Sequence, residues 1–361
     1  MPEQALASSA VYVATPTVKV DSQDAPKANQ LLLGMEMTET EGGMSAMELR
    51  FSNVASDPQG SADLAFEDDS LLKLGAKIAV YCGAASSQQE IFQGLITGIE
   101  GDFPRGSPPE LVVLAEDVFQ QARMARRTKL HEDVTIADLA QQLASQLSLT
   151  PQVTGLTENI GTQVQLNESD LAFLRRILRR YDGDMQVVGS ELHVSPRGDV
   201  RRGTVDLTLN SQLRRARAVA DLAHQVTEVT VTGWDVQQGS RATGQSTGVS
   251  ITPGSGSTGA SLLRDRVGQR SEHIGHVAVR NSAEAQALAD AAFDNRARRF
   301  VRVHATAEGN PTIRVGTHTT LSGMGGRFDN TYYVVSACHR YDLRRGYETD
   351  FEAESAYLGT P

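Results

Sequence analysis

The residues best able to do chemistry in this chain are a few histidines, two cysteines and two arginine clusters. His273-Ile274-Gly275-His276 spells the four-residue signature with which class I aminoacyl-tRNA synthetases meet ATP phosphates. That chemistry needs the motif to open a helix after the first strand of a nucleotide-binding fold. Here it follows a Gly/Ser loop, leads into Val277 and Val279, which read as a strand, and has no Lys-Met-Ser-Lys-Ser partner downstream. To bind a metal the same pair would need His304, His318 or His339, and the chain offers neither an i, i+4 histidine pair around a Glu nor cysteines at zinc spacing. Asp182-Gly183-Asp184 lacks the alternating oxygens and terminal Glu of an EF-hand and reads as a helix stop. A Gly-x-Ser-x-Gly elbow, a Walker loop and a dinucleotide fingerprint are all missing. No carboxylate pair has the aromatic setting that would raise a pKa for acid catalysis. The sequence therefore predicts no catalytic, cofactor or metal site, and no enzyme.

Arg123, Arg126, Arg127 and Lys129 form one basic group and Arg175, Arg176, Arg179 and Arg180 another. The plain reading is a solvated face or salt bridges to acidic neighbours; the sharper one is a phosphate-binding patch. A net charge of −10, from 44 acidic against 34 basic residues, opposes a general role on nucleic acid or anionic lipid. Cys82 and Cys338 lie far apart in apolar alternating segments, which predicts buried reduced thiols and synthesis in the cytoplasm. Met1 to Ala10 has no basic start and apolar core, and nowhere is an apolar run long enough to span a membrane, so the expectation is a soluble chain without stable membrane insertion.

The elements that would position these groups change in character along the chain. Up to residue 116, alternation at Met47, Leu49 and Phe51, then over Lys77 to Cys82, Ile91 to Glu100 and Glu110 to Ala115, predicts a small antiparallel β-barrel or sheet. From 117 to 203 the pattern turns helical. Ile136, Leu139, Leu143 and Leu147 form a stripe introduced by Thr135 with Asp138 three residues on. A second helix starts near Asn167 or Ser169, carries Leu171, Leu174, Ile177 and Leu178 on one face, and should stop at Gly183. With a hairpin near Met185 to Val194, this reads as an α+β insertion. Strands return from 204 to 361, with a helix from about Ser282 to Arg299. The Gly/Ser/Thr-rich stretch 237–261 reads as a mobile loop. Near the end Tyr347, Thr349, Phe351 and Ala353 alternate with Glu348, Asp350, Glu352 and Glu354. That acidic face should meet solvent, an aqueous lumen or a basic partner.

One pattern occurs twice. Leu74-Gly75, alternating Ile78 and Val80, Gly83, a loop and a long strand from Phe92 parallel Val315-Gly316, Thr319 and Leu321, Gly323, a loop and a strand from Tyr332. Either one β unit is duplicated, or two antiparallel meanders look alike. If duplicated, a trimer would present six near-equivalent units on which a six-fold ring could sit. Gly75, Gly94, Trp234, Gly316, Tyr332, Tyr333 and Phe351 would supply the turns and the core of these units.

A series of further motifs, in order, resembles the phage late control D family. They are Phe92 to Glu100 (FQGLITGIE), Ala115-Glu116-Asp117 leading to the arginines around Arg126, Asn167 to Leu174 (NESDLAFL), Val231 to Asp235 (VTGWD), Gly309-Asn310-Pro311 with Val315-Gly316, and Tyr332 to Val335 (YYVV) with Gly346-Tyr347. The resemblance covers about 30 to 355. It implies a mainly β, α+β fold with two tube-protein-like antiparallel β-barrel units and an insertion between them. It also implies a homotrimeric baseplate hub that joins the hexameric inner tube to a trimeric spike, beside other baseplate components, in a phage tail or an extracellular contractile particle. Relatives often continue into a fused spike, so a chain ending at Pro361 implies a separate spike protein. Two other classes stay open at this stage: a tail-associated peptidoglycan hydrolase with an unrecognised site, and a module that binds an anionic partner through the arginine-rich helix.

Overall fold

The computed structural model describes residues 15–56, 62–68, 70–84, 87–248, 253–275 and 277–360. Met1 to Ala10 and His276, both weighed above, lie outside these residues. The centre of the molecule is one sheet of 13 strands that contains two copies of a six-strand pattern. In the first unit the lateral order is Leu32–Thr40, Ala46–Ser52, Glu110–Glu116, Gln89–Asp102, Lys77–Cys82, Thr17–Val20. In the second it is Leu213–Ala220, Val301–Glu308, Gly346–Ser355, Asn330–Asp342, Thr317–Ser322, Gly203–Thr208. Counted along the chain within each unit, both orders are 2-3-6-5-4-1.

The likeness extends to the irregularities. The ladder between second and third strands is bulged at Leu32/Gly34 in one unit and at Leu213/Arg215 in the other. The ladder between fifth and sixth strands is bulged at Ile96/Gly98 and at Val334/Ser336. Gly75 and Gly316, just before the fourth strands, have φ of 82° and 88°. Each donates its N–H to the residue heading that bulge, Ile96 at 2.8 Å and Val334 at 3.0 Å. A bulge re-aims a strand, and a positive φ excludes most side chains. Their coincidence in both copies separates a repeated unit from two generic meanders. The copies differ in their first strands: Thr17–Val20 runs antiparallel to its neighbour, whereas Gly203–Thr208 runs parallel.

Each unit closes over its own core, around Met37, Leu49, Phe51, Ile78 and Ile96 in the first and around Phe300, Val303, Tyr332, Phe351 and Ala353 in the second. The two are fused edge to edge. The second strand of unit one pairs antiparallel with the latter half of the fifth strand of unit two, from Ser336 opposite Thr40 to Asp342 opposite Gly34.

Two modules hang from this sheet. Residues 117–202 form an α+β module whose core includes Phe119, Leu139, Leu143, Leu171, Leu174, Ile177 and Leu192. Its helix Ile136–Gln146 starts in a capping box made by Thr135 and Asp138, and its helix Asp170–Arg180 is capped by Ser169. The stop comes at Asp182, with φ of 51°, while Gly183 opens the next strand. Aspartate tolerates the left-handed region well enough to do what was expected of glycine.

The second module replaces the expected mobile loop. Glu228–Asp235, Ser240–Ser246 and Ser271–Ile274 make a three-stranded sheet covered by the helix Ser282–Ala297. Small residues serve contact here. A Cβ on Gly244 would lie 2.2 Å from the Gln286 N atom of that helix, so glycine lets the helix sit directly on the strand. Ser257–Thr258 pairs with Tyr357–Leu358 and leads into the helix Gly259–Arg266, capped by Thr258. Residues 249–252 lie outside the described residues. The expected strand at Val277 and Val279 is absent; His273 and Ile274 instead end a short strand parallel to Glu228–Asp235.

Candidate functional site

The residues singled out from the sequence do not converge on one site. Tyr332, Tyr333 and Phe351 are core, at 0%, 5% and 3% exposure. Gly94 lies within the long strand Gln89–Asp102; a Cβ there would meet Glu116 O at 2.3 Å, so the position serves close strand approach. Trp234 is not core. It is 59% exposed beside Val236, on the outer side of the second module.

The histidines are scattered, and each of the following has a partner within the chain, although the buried Nε2 of His339 has none. His273 Nε2 lies 3.1 Å from the Thr232 hydroxyl and His304 Nδ1 lies 3.2 Å from Glu352. His318 packs edge-on against Tyr333, and His339 is buried with Nδ1 2.7 Å from the Tyr347 hydroxyl. Among the described residues no group of His, Cys, Asp or Glu is placed to hold a metal. Both cysteines are free, and burial pushes their thiols up, Cys82 to about 12 and Cys338 to about 11, far from a reactive thiolate.

Most of the clustered arginines are engaged within the chain. Arg123 pairs with Glu116, Arg127 with Asp170, Arg176 with Glu168 and Arg180 with Glu284. The acidic face of Gly346–Ser355 is matched likewise: Glu348 meets Arg214, Asp350 meets Arg340, Glu352 meets His304 and Glu354 meets Arg197. The neighbouring strands of the chain, with Arg197 from the inserted module, are that face's basic partner.

Among the described residues a concentration of buried charge lies where unit one, unit two and the first module meet. Arg197, 10% exposed, pairs with Glu41 of unit one and with Glu354 of unit two at 3.4 Å, and its guanidinium lies over the Tyr333 ring, 4.5 Å from the centroid. Arg202 pairs with Asp184, and Arg298 with Asp182. Glu39 accepts from Arg314 at 2.6 Å, from the Val315 amide at 2.6 Å and from Gln186 at 3.3 Å. Burial drives the carboxyls upward, Glu41 to about 8 and Asp182 to about 6, with Arg197 pulling both back. At Glu39 burial also pushes up, but Arg314 and the Val315 amide outweigh it and hold the carboxyl below its ordinary range. Such a cluster fixes the relative placement of three bodies, since buried ions are costly unless every partner is in place. The two modules are themselves joined: Glu284 accepts from Arg180 at 3.2 Å and from the Tyr181 hydroxyl at 2.7 Å. No local pattern announces this cluster, because its members are scattered along the chain from Glu39 to Glu354.

A surface groove of about 760 Å³ runs beside Asp221, His224, Arg270, Arg296, Arg299 and Arg302. Arg270 donates to the carbonyls of Leu222, Ala223 and Gln225, and Arg296 pairs with Glu272, so part of its basic lining is occupied internally. No described helix is long and apolar enough to cross a membrane.

Solved structures share this fold. The 43 kDa tail protein of prophage MuSo2 from Shewanella oneidensis aligns with a TM-score of 0.68 at 12% identity, over 94% of this chain and 97% of that one. The tail protein from Neisseria meningitidis MC58 aligns with 0.65 at 13%, over 95% and 99%. An E. coli component of the type VI secretion system, described as structurally similar to T4 bacteriophage tail proteins, aligns with 0.56 at 12%, over 95% and 79%. At such identities the likeness is one of fold, a mainly β, α+β architecture. No curated protein matches the sequence. The family model that matches is not late control D, whose motifs the sequence resembles. It is described as the Alg8 N-terminal domain, it matches residues 12–342, and the chain belongs to that family.

Proposed function

We propose that the chain is a non-enzymatic baseplate hub of a phage tail or contractile injection system, a late control D-like adaptor between a hexameric inner tube and a trimeric spike. The observation that carries the reading is the repeated 2-3-6-5-4-1 unit with its matched bulges and turns. Two equivalent units per chain give a trimer six near-identical positions. The fold shared with tail proteins and with a type VI secretion component supports the same reading.

The two ends of the sheet suit different partners. At one end both units carry short hairpins, Asp102 to Glu110 and Asp342 to Gly346. At the other, unit one turns tightly from Thr40 to Ala46, whereas unit two carries the whole second module between its second and third strands. In a trimer the first end would repeat six times and the second only three. A six-fold tube fits the former and a three-fold spike the latter. The buried charge cluster would keep the modules in place when the machine fires. Assembly would take place in the cytoplasm, with a separate spike protein and other baseplate components as partners.

Light scattering on the chain, alone and co-expressed with a spike candidate from the same gene cluster, tests this. A species near 117 kDa, three times 38.9 kDa, is expected. A chain that stays monomeric with the spike present, or that clears peptidoglycan in a zymogram, refutes it.

A further inference from the structure

The arginine-rich helix Asp170–Arg180 divides its four cations between two faces. Arg176 and Arg180, one turn apart, pair with Glu168 and Glu284. Arg175 and Arg179, on the neighbouring face, make no ion pair among the described residues. Both line a cavity of about 240 Å³ to which the first module, the end of the second module's long helix and Glu41 of unit one all contribute. Arg299, just past that helix, lines it too and also lacks an ion pair among the described residues, although Asp182 attracts it. The carboxyls of the lining are already engaged: Glu41 with Arg197, Asp182 with Arg298 and Asp184 with Arg202. The wall therefore carries Arg175, Arg179 and Arg299 without a paired carboxylate, in a chain whose net charge is −10.

Two groups of this wall are also short of hydrogen bonds. Nε and Nη2 of Arg175 are shielded from water and have no acceptor. Asp117 attracts this guanidinium, but its carboxylate is held by the Ser45 and Phe119 amides at 2.6 and 2.9 Å. Asp184, 1% exposed, gives Oδ2 to Arg202 and leaves Oδ1 without a donor. A buried polar atom without a partner is costly, and in a folded protein it points to a water or an ion. Surplus donors beside one orphaned acceptor match an oxyanion that still carries a proton. We propose that the cavity binds inorganic hydrogen phosphate, which accepts from Arg175, Arg179 and Arg299 and donates its hydroxyl to Asp184. Guanidinium forks fit phosphate oxygens bidentately, and the volume leaves room for part of the ion's hydration. The proton sets the specificity. Sulfate has the same shape but no proton at neutral pH, and a phosphomonoester has largely lost its own, so either would set a negative oxygen against Asp184. An ion held here touches both modules and unit one, and so adds to the hold that the charge cluster exerts. The site needs one chain only and does not depend on the hub reading.

Isothermal titration calorimetry of the full chain tests this, with sodium phosphate, sodium sulfate and glycerol phosphate as titrants at neutral pH and matched ionic strength. Phosphate should saturate one site per chain, and the other two anions should bind at least tenfold more weakly. Arg179→Ala and Arg299→Ala alter exposed side chains and should stay folded, and each should weaken phosphate at least fivefold. Arg176→Ala makes the same change of charge on the other face of the helix and should leave phosphate binding unaltered. Asp184→Asn should bring phosphate and sulfate to within about threefold of each other. Phosphate at a hundredfold excess over its Kd should raise the melting temperature by about 2–4 °C. Three anions that bind alike, or a loss with Arg176→Ala equal to that with Arg179→Ala, would report only the screening of a basic surface and overturn the proposal. Phosphate binding that does not saturate overturns it as well.

Discussion

Replacing Arg197 by Met is the sharpest test of the charge cluster that holds unit one, unit two and the first module together. The side chain is 10% exposed and serves Glu41, Glu354 and the Tyr333 ring at once. Methionine keeps much of the volume, so the loss is electrostatic before it is one of packing. Removing one partner of a buried ion pair typically costs about 3–5 kcal/mol, because the other charge is stranded. The stacked guanidinium adds about 0.5–2 kcal/mol. Both carboxylates keep limited access to water, and Glu41 carries one that burial already pushes up to about 8. Without Arg197, Glu41 escapes by binding a proton. The destabilisation should therefore be near its full value at pH 8.5 and smaller by about 1–2 kcal/mol at pH 6. Adding Glu41→Leu should recover most of the loss and remove its pH dependence, since apolar replacement of a buried pair is often neutral. Urea unfolding at both pH values, followed by circular dichroism and by the fluorescence of Trp234, gives the numbers. A single variant that loses under about 1 kcal/mol at pH 8.5, or a double variant no better than the single, would refute the view that this cluster is held by mutual compensation.

Three further outcomes follow from the geometry. Gly316→Val places a β-branched residue at φ of 88° with its Cβ 2.8 Å from Val200 Cγ1, whereas Gly75→Val at φ of 82° meets nothing within 4 Å. Both carry backbone strain of about 1–3 kcal/mol, but Gly316→Val should be the worse by at least 1 kcal/mol in thermal unfolding, and equal losses would mean that contact does not matter. Phe351→Asp buries a carboxyl at a site 3% exposed and should cost at least about 4 kcal/mol, read as loss of soluble protein; a soluble, fully stable variant would place Phe351 on the wrong face. Stability should fall as pH rises from about 6 to about 9. Glu41, raised to about 8, and Asp182 and Asp117, raised to about 6, bind protons more tightly folded than unfolded, so they favour folding as pH falls from 8. Buried His339, lowered to about 4, works the other way and removes stability as pH falls below its unfolded value near 6.5. Melting temperatures from pH 5 to 9 test this, and a curve still rising at pH 9 contradicts it.

How much of this was legible in the sequence depends on which physical signal each residue carries. Alternation gave the long strands of both units and the last hairpin, because one face of each is core and the other wet. Thr135 and Ser169 gave the helix starts, because their hydroxyls cap the first turns. Leu213–Ala220 was invisible: Arg214, Arg215 and Arg217 face outward at an edge, and its inner residues include alanines that carry little hydrophobic signal. Ser240–Ser246 was misread because Gly and Ser score as flexible, although Gly244 is small so that a helix can touch its backbone. Trp234 was assigned to core because tryptophan usually is, while it stands exposed on the second module. The charge cluster had no local pattern to read, since Glu39, Asp184, Arg197 and Arg314 meet only after the sheet has formed.

The differences between the two units are as informative as their identity. Duplication alone would make every surface of a three-chain ring pseudo-six-fold, and such a ring has no reason to accept a three-fold partner. The symmetry has to be broken somewhere, and apart from the direction of the first strands the large differences lie at one end of the sheet. Unit two carries a module of four strands and two helices where unit one has a tight turn, and the module after Glu116 lies at that same end, tied back through the Asp117 carboxylate to the Ser45 amide at 2.6 Å. The two modules then join through Glu284. Breaking the symmetry at the opposite end would spoil the matched hairpins of the two units, and breaking it in the bulged strands would spoil the bulges they share. Deleting the second module between Ala220 and Val301 and closing the gap with the turn Glu41 to Ser45 should therefore leave self-association and tube binding intact while abolishing spike capture in a pull-down. A variant that still captures the spike would place the three-fold contact elsewhere and undo the assignment of the two ends.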